Sequence, residues 1–330
     1  MADASSANGT VPMRVLVTGA TGFVGRRLCE SLGALGHEVV RALRKPAAET
    51  PAGAVDVVVG DVDGGTDWSA ALQGVQAVAH LAARVHVMRD TPEGAAAHRR
   101  VNADGTARLA AQAFAAGVRR VVFLSSVKVN GEGRAKAYRV DEAPAPVDPY
   151  GLSKLEAEQR LFDAARSAGA EAVVIRPPLV YGPGVKGNFA RLLAAVDRGL
   201  PLPLGAIDNR RSLVSVWNLC DLVATCLVHR DAAGGVFFAA DDRDVSTPEL
   251  VELIASALRR RARLWRVPPA LLRLPFAAIG RGGDIDRLVE SLCVDRAAAA
   301  ERLGWRPPVP IAVGIERTAQ AWLAARRGAS

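Results

Sequence analysis

The chain has 330 residues, enough for one large domain or for a large domain with a smaller partner around a sizeable core. Half of the residues are hydrophobic and 23% are charged, which excludes a disordered or fibrous protein. Lys and Arg number 42 against 34 acids, and this +8 is mostly diffuse, which argues against nucleic acid as a partner. No apolar stretch reaches the roughly 18 to 20 residues of a membrane span. The first ten residues lack the basic start and apolar segment of a secretory signal, so a cytoplasmic protein is expected. Cys29, Cys220, Cys226 and Cys293 form no C-x-x-C pair and the five histidines have no H-E-x-x-H spacing, so no disulfide scaffold or metal site is expected.

Residues 14–18 (RVLVT) form a β-branched run that ends at Gly19, after which Phe23, Val24, Leu28 and Leu32 recur at helical spacing. Strands are predicted near 38–43, 55–59, 76–80, 119–125 and 171–176, with helices near 67–73, 93–117 and 149–168. Such alternation predicts an α/β fold, a doubly wound parallel sheet of the Rossmann type. After Arg176, prolines at 177, 178, 183, 201 and 203 interrupt a short helix around 188–199, and a smaller C-terminal substrate-binding lobe is expected. The predicted division is a tail over 1–12, a dinucleotide-binding domain over 13–180 with a returning segment at about 208–236, a lobe over 181–207 and 237–322, and a tail over 323–330. Ser246-Thr247-Pro248-Glu249 carries the hydroxyl cap, first-turn proline and later glutamate of a helix start. The dense run Arg259, Arg260, Arg261, Arg263 and Arg266 around Trp265 reads as the solvated C-terminus of that helix.

Three patterns carry chemistry. Gly19, Thr21, Gly22, Phe23, Val24 and Gly25 directly follow the first strand, where spaced glycines let the backbone approach a pyrophosphate and the helix N-terminus favours its charge. At the end of the second strand Arg44 stands where an acid would meet a free ribose 2′-hydroxyl, so NADP(H) is favoured over NAD(H). Tyr150 and Lys154 lie four apart near a helix start, on one face, where the ammonium would lower the phenol's pKa from about 10 and make a proton shuttle.

With these motifs the chain resembles the extended short-chain dehydrogenase/reductases, specifically the nucleotide-sugar epimerase/dehydratase group, from Arg14 to about Pro308. Further matching segments are Gly60-Asp61-Val62, His80-Leu81-Ala82-Ala83, Val101-Asn102, Gly105-Thr106, Ser125-Ser126, Tyr181-Gly182-Pro183-Gly184 and Arg211-Ser212-Leu213-Val214. The resemblance implies that Asp61 and Val62 hold the adenine, that Leu81, Ala82 and Ala83 pass under the cofactor, and that Asn102 orders the site. It implies a catalytic set of Ser126, Tyr150 and Lys154, with Ser126 bonded to the reacting sugar oxygen. Asn188 and Arg211 match positions that bind a nucleotide-sugar diphosphate, although both could be ordinary loop and strand-edge residues. The sequence leaves open whether Arg281 or Arg287 joins them.

Departures from the family pattern narrow the chemistry. Val127-Lys128 stands where sugar 4,6-dehydratases carry Asp-Glu, which disfavours dehydration. Asn130 replaces the usual tyrosine before Gly131, and Leu179 a frequent substrate-binding asparagine, so substrate contacts differ from the standard UDP-glucose 4-epimerase. The stretch 125–132 looks like a bacterial subgroup in surface-polysaccharide sugar synthesis. The expected activity is hydride transfer at C4 of a UDP-hexose, as 4-epimerase or 4-keto-sugar reductase; the rivals are a small-ketone reductase and a non-catalytic dinucleotide sensor. The resemblance also implies a homodimer through the helices near 93–117 and 149–168, which need the same patch on both subunits.

Overall fold

The computed structural model describes residues 11–85, 91–272 and 288–327; Arg281 and Arg287 lie outside them. The chain begins with β1 (Arg14–Thr18), α1 (Phe23–Ala34), β2 (Glu38–Leu43), β3 (Ala54–Val58) and β4 (Ala77–His80). It continues with α2 (Pro92–Arg99), α3 (Gly105–Ala115), β5 (Arg120–Leu124), α4 (Pro149–Ala168) and β6 (Glu171–Arg176). Then come β7 (Leu179–Tyr181), α5 (Gly187–Asp197), β8 (Leu213–Ser215), α6 (Val216–Val228), β9 (Val236–Phe238), α7 (Thr247–Ala257), α8 (Ala297–Leu303) and α9 (Ile311–Arg327).

Seven parallel strands form one sheet in the order β3-β2-β1-β4-β5-β6-β9, and β7 pairs with β8 apart from it. The order reverses between β1 and β4, and in doubly wound sheets ligands bind at the strands' carboxyl ends beside such a switch. One face is covered by apolar side chains of α1 and α6, including Leu28, Leu32, Leu219 and Val223. The other is covered by α3 and α4 through Leu109, Phe114 and Leu161. Both faces of the sheet are therefore buried, as the near-continuous Val-rich strands require. A separate apolar cluster around Tyr181, Phe189, Leu193, Val251, Ile254 and Ile311 lies apart from the sheet's two faces. The Tyr181 hydroxyl donates to Asp241 Oδ2 at 2.6 Å, while Asp241 Oδ1 accepts from the Ser215 amide at 2.9 Å.

Two of the predicted helices differ in the structure. Residues 69–74 form turns rather than the helix expected over 67–73. Asp67 Oδ1 accepts from the Ser69 amide at 3.0 Å, a local bond that competes with helical pairing. The single helix expected over 93–117 is divided by one π-helical turn, Arg100–Asp104, between α2 and α3. Such a turn inserts a residue and re-aims its side chains, and here it carries Asn102.

The predicted start of α7 is present, with Ser246 and Glu249 forming a reciprocal capping box. Arg259, Arg260, Arg261, Arg263 and Arg266 are exposed at and beyond its C-terminus. The last helix runs to Arg327, into the segment 323–330 expected as a tail. Among the described residues no helix is long and apolar enough to cross a membrane, and no group of three His, Cys, Asp or Glu could hold a metal ion.

Candidate active site

The glycine loop packs as its spacing demands. Gly19 has φ +67° and approaches the chain at Ala82 so closely that a Cβ would lie 2.9 Å from the Ala82 nitrogen, and a Cβ at Gly25 would overlap the Gly19 carbonyl. Helix α1 starts at Gly22 without a side-chain cap and without an acid in its first turn, whereas Thr91, Asp148, Ser215 and Ser246 cap α2, α4, α6 and α7. The first amides of α1 are thus left to an outside anion, which fits the pyrophosphate of a dinucleotide. Thr21 and Gly22 are exposed at this turn, and Phe23 and Val24 are half-buried.

A chain of oriented hydrogen bonds fixes the backbone beside the loop. Thr18 Oγ1 accepts from the amides of Leu81 at 3.1 Å and Ala82 at 3.0 Å, so its own proton goes to His80 Nδ1 at 2.7 Å. His80 Nε2 then carries the ring proton and donates to Thr106 Oγ1 at 2.9 Å, whose hydroxyl donates to the Asn102 carbonyl. Burial, with Lys154 nearby, pushes His80 down to about 3, so the ring is neutral. Asn102 Oδ1 accepts from the Arg84 amide at 2.8 Å, while its Nδ2 donates to Ser153 Oγ at 2.9 Å. Asn102 thereby joins the chain at Arg84 to α4. A Cβ at Gly105 would lie 2.8 Å from Val62 Cγ1 and 3.4 Å from the Asp63 backbone, so the start of α3 is seated directly on the Val62-Asp63 segment.

Helix α4 presents the reacting candidates. Asp148 caps it through the Gly151 amide at 2.6 Å and also pairs with Lys128. Gly151 lets the helix rest on the short 3-10 turn Val127–Val129, since a Cβ there would lie 2.6 Å from the Lys128 carbonyl oxygen. Ser126 caps that turn through the Lys128 amide at 3.3 Å, and its side chain is close enough to the Tyr150 phenol to oppose the effect of burial on it. The Tyr150 ring meets His98 edge-on at a centroid distance of 5.8 Å.

The electrostatics correct the expected Tyr–Lys coupling. Lys154 Nζ donates to the Leu124 carbonyl at 2.7 Å and lies 4.2 Å from the Phe123 ring centroid, an arrangement that engages the ammonium with β5. Burial pushes Tyr150 up to about 12, with the neighbouring Ser126 opposing the rise and the Asp148 charge adding to it. Burial pushes Lys154 down to about 7, against the attraction of Glu158. In this structure the phenol is therefore a firmly protonated acid beside a lysine poised near neutrality.

The remaining candidates sit farther out. Arg44 Nε lies 3.2 Å from Asp61 Oδ1, with side chains 77% and 82% exposed. Asn188 is in the first turn of α5, where its Oδ1 accepts from Arg191 at 3.4 Å. Arg211 bridges Val245 and Leu292 through its backbone, and its guanidinium donates to the Glu290 carbonyl at 2.9 Å. Thr18, Glu158 and Arg176 support the site without having been singled out from sequence. Their partners are distant along the chain, so no spacing announces them.

Residues 15–239 match the NAD dependent epimerase/dehydratase family. The chain is 43% identical to a UDP-glucose 4-epimerase of Vibrio cholerae over 319 residues, covering 96% of this chain and 97% of that protein. It is 28% identical to the N-acetyl-alpha-D-glucosaminyl-diphospho-ditrans,octacis-undecaprenol 4-epimerase of Escherichia coli O157:H7, covering 93% and 94% of the two chains. A solved structure of MoeE5 in complex with UDP-glucose and NAD superposes with a TM-score of 0.76 at 29% identity, covering 96% of this chain and 100% of that one. The glycine cradle and these matches place the chain in the NAD dependent epimerase/dehydratase family, as an enzyme.

Proposed function

We propose that this enzyme is a 4-epimerase of a UDP-activated hexose, and the observation that carries the proposal is the seating of Gly151 on the Lys128 carbonyl, which sets the Tyr150 end of α4 against the Ser126 turn. Two hydroxyls from such adjoining elements can bracket a single oxygen, and the sugar O4 is the oxygen they would hold. When bound, the nicotinamide supplies a hydride acceptor and donor at C4. Gly19, Thr21, Gly22, Phe23, Val24 and Gly25 would carry the dinucleotide's pyrophosphate, Asp61 and Val62 its adenine, and Leu81, Ala82, Ala83, Asn102, Tyr150 and Lys154 its nicotinamide half.

Tyr150 moves the proton at O4, taking it as C4 is oxidised and returning it as C4 is reduced on the opposite face. A phenol pushed up to about 12 by burial is suited to the return step. Ser126 orients O4. The charges near position 128 do not suit dehydration, because Lys128 occupies the carboxylates of Glu132 and Asp148 instead of an Asp-Glu pair facing the sugar. Arg211 and Asn188 are assigned to the diphosphate. This reading favours the epimerase over the 4-keto-sugar reductase, since the Vibrio relative catalyses the redox-neutral reaction. A role in surface-polysaccharide sugar supply belongs to the same proposal and draws on the relative whose substrate is a diphospho-undecaprenol-linked sugar.

The cofactor reading turns on Arg44. Its guanidinium faces the Asp61 carboxylate, whose negative charge would oppose a 2′-phosphate at the same edge. We therefore take NAD(H), rather than the NADP(H) expected from Arg44 alone, as the cofactor. For the homodimer, Ala110 and Ala113 pack into the apolar cluster against the enzyme's own sheet and Ala103 is buried, while Ala96 and Ala111 remain exposed for a partner.

Incubation with UDP-glucose and UDP-N-acetylglucosamine should yield the C4 epimer without added reductant, identified by NMR. Tyr150→Phe should lower kcat by roughly two to four orders of magnitude while leaving dinucleotide bound; more than a tenth of wild-type activity in the folded variant would sink the assignment. Arg211→Ala should raise KM for the UDP-sugar with little change in dinucleotide affinity. A KM unchanged for every UDP-sugar would favour a small-ketone reductase. Titration should show the wild type preferring NAD(H), and Arg44→Asp weakening NADP(H) further; a wild-type preference for NADP(H) that the variant abolishes would reinstate Arg44 as the 2′-phosphate contact. Light scattering should give twice the chain mass at micromolar concentration, and a monomer would remove the dimer.

A further inference from the structure

Below the reacting side chains lies an ion pair that the proposed mechanism does not use. Glu158 is on α4, one helical turn beyond Lys154 and two beyond Tyr150, and Arg176 ends β6; their side chains are 3% and 5% exposed. The guanidinium meets the carboxylate with two parallel bonds, Nε to Oε1 at 3.0 Å and a terminal nitrogen to Oε2 at 2.5 Å. Each ion costs several kcal/mol to bury, and a well-packed apolar pair at such a place is often as stable. Packing alone gives no reason for two charges here, so the bonds the pair makes beyond itself are informative.

Those bonds reach both ends of the segment that holds Ser126. Ser125 Oγ donates to Glu158 Oε1, and the other terminal nitrogen of Arg176 donates to Asn130 Oδ1 at 3.1 Å. Because a guanidinium only donates, the Asn130 amide must turn its oxygen to Arg176. The backbone adds two ties to the β6 side, from the Ser125 amide to the Ile175 carbonyl at 2.8 Å and from the Val127 amide to the Pro177 carbonyl at 3.0 Å. The pair thus connects α4, the end of β6 and both flanks of the Ser126 turn.

We infer that the buried Glu158–Arg176 pair is the positioning element of this active site, holding Ser126 in register with Tyr150 and facing Lys154 with a fixed negative charge. The inference rests on the reading of Ser126, Tyr150 and Lys154 as the reacting groups. Glu158 and Arg176 touch neither O4 nor the dinucleotide in this account; they act through their neighbours. Around Lys154 stand Tyr150 and Glu158 from α4, neutral His80 from β4, and the Phe123 ring and Leu124 carbonyl from β5, with Arg176 behind Glu158. Glu158 is the negative side chain in this set, and its attraction is what opposes the loss of the Lys154 proton by burial.

The test uses Glu158→Gln, Ser125→Ala, and the double variant Glu158→Gln/Arg176→Met, which leaves no orphaned buried charge should the single change prevent folding. Glu158→Gln should lower kcat for the UDP-hexose at least tenfold with KM within about threefold, and Ser125→Ala should lower it severalfold. The double variant should regain thermal stability without regaining kcat. Because Lys154 is one of five lysines, its titration can be followed by NMR of protein labelled at lysine Cε, with no substrate present. Removal of the carboxylate should move the Lys154 midpoint to lower pH by about one unit in the single and double variants. The inference is overturned if that midpoint stays in place, or if kcat returns with stability in the double variant, the behaviour of a purely structural pair. An unmoved midpoint in a wild type that turns over UDP-glucose and is inactivated by Tyr150→Phe would remove this inference alone. A moved midpoint in an enzyme inactive on every UDP-hexose would instead remove the proposed substrate.

Discussion

Helix α4 can lie against the Val127–Val129 turn only because residue 151 has no side chain, and the remaining site geometry follows from that approach. Asp148 holds the helix end in place by accepting from the Gly151 amide while its charge meets Lys128 from the turn itself. The contact brings the Tyr150 end of α4 to the Ser126 turn, while Lys154 is held against the Leu124 carbonyl. Without that seat, the Ser126 and Tyr150 side chains would not be brought together. A dry, closely packed support of this kind is how an enzyme holds reacting groups to fractions of an ångström.

The same close packing sets the chemistry of the titratable groups. Tyr150 is driven toward its protonated form and Lys154 and His80 toward their neutral forms, in each case because the charged form would lose water. His80 resolves this by serving as a neutral link from Thr18 to Thr106, a route that holds the 81–83 backbone against the glycine loop. Lys154 remains closer to its transition because Glu158 stands one turn away. Two buried polar systems therefore flank the Ser126 and Tyr150 side chains, one neutral beside the glycine loop and one ionic under the Ser126 turn.

Much of this was legible along the chain. Strands announced themselves as Val-rich runs, the first helix by glycines whose spacing only close packing explains, and α7 by the Ser246 and Glu249 pair that does form its capping box. Tyr150 and Ser126 were recognisable because their motifs are contiguous. What stayed hidden depends on contacts between distant segments. The fourfold spacing of Tyr150 and Lys154 says that they share a helical face, but not that the ammonium is drawn to Leu124 and Phe123 on β5. Arg44 was visible as a cation at the right strand end, whereas its partner Asp61 belongs to the next strand's loop. The Glu158–Arg176 pair spans two elements with no motif between them, and the π-helical turn at Asn102 looks like ordinary helix in any periodicity.

The central claim, that one site removes hydrogen from C4 of a UDP-hexose and returns it to the other face, is tested most directly by isotope retention. UDP-glucose carrying deuterium at C4 would be incubated with the purified enzyme in ordinary water, and the products examined by mass spectrometry and NMR. The expected product is a C4 epimer that keeps its deuterium at the inverted carbon, with no net consumption of added dinucleotide. Loss of the label to free dinucleotide with accumulation of a keto sugar, or recovery of unreacted UDP-glucose alone, would contradict it.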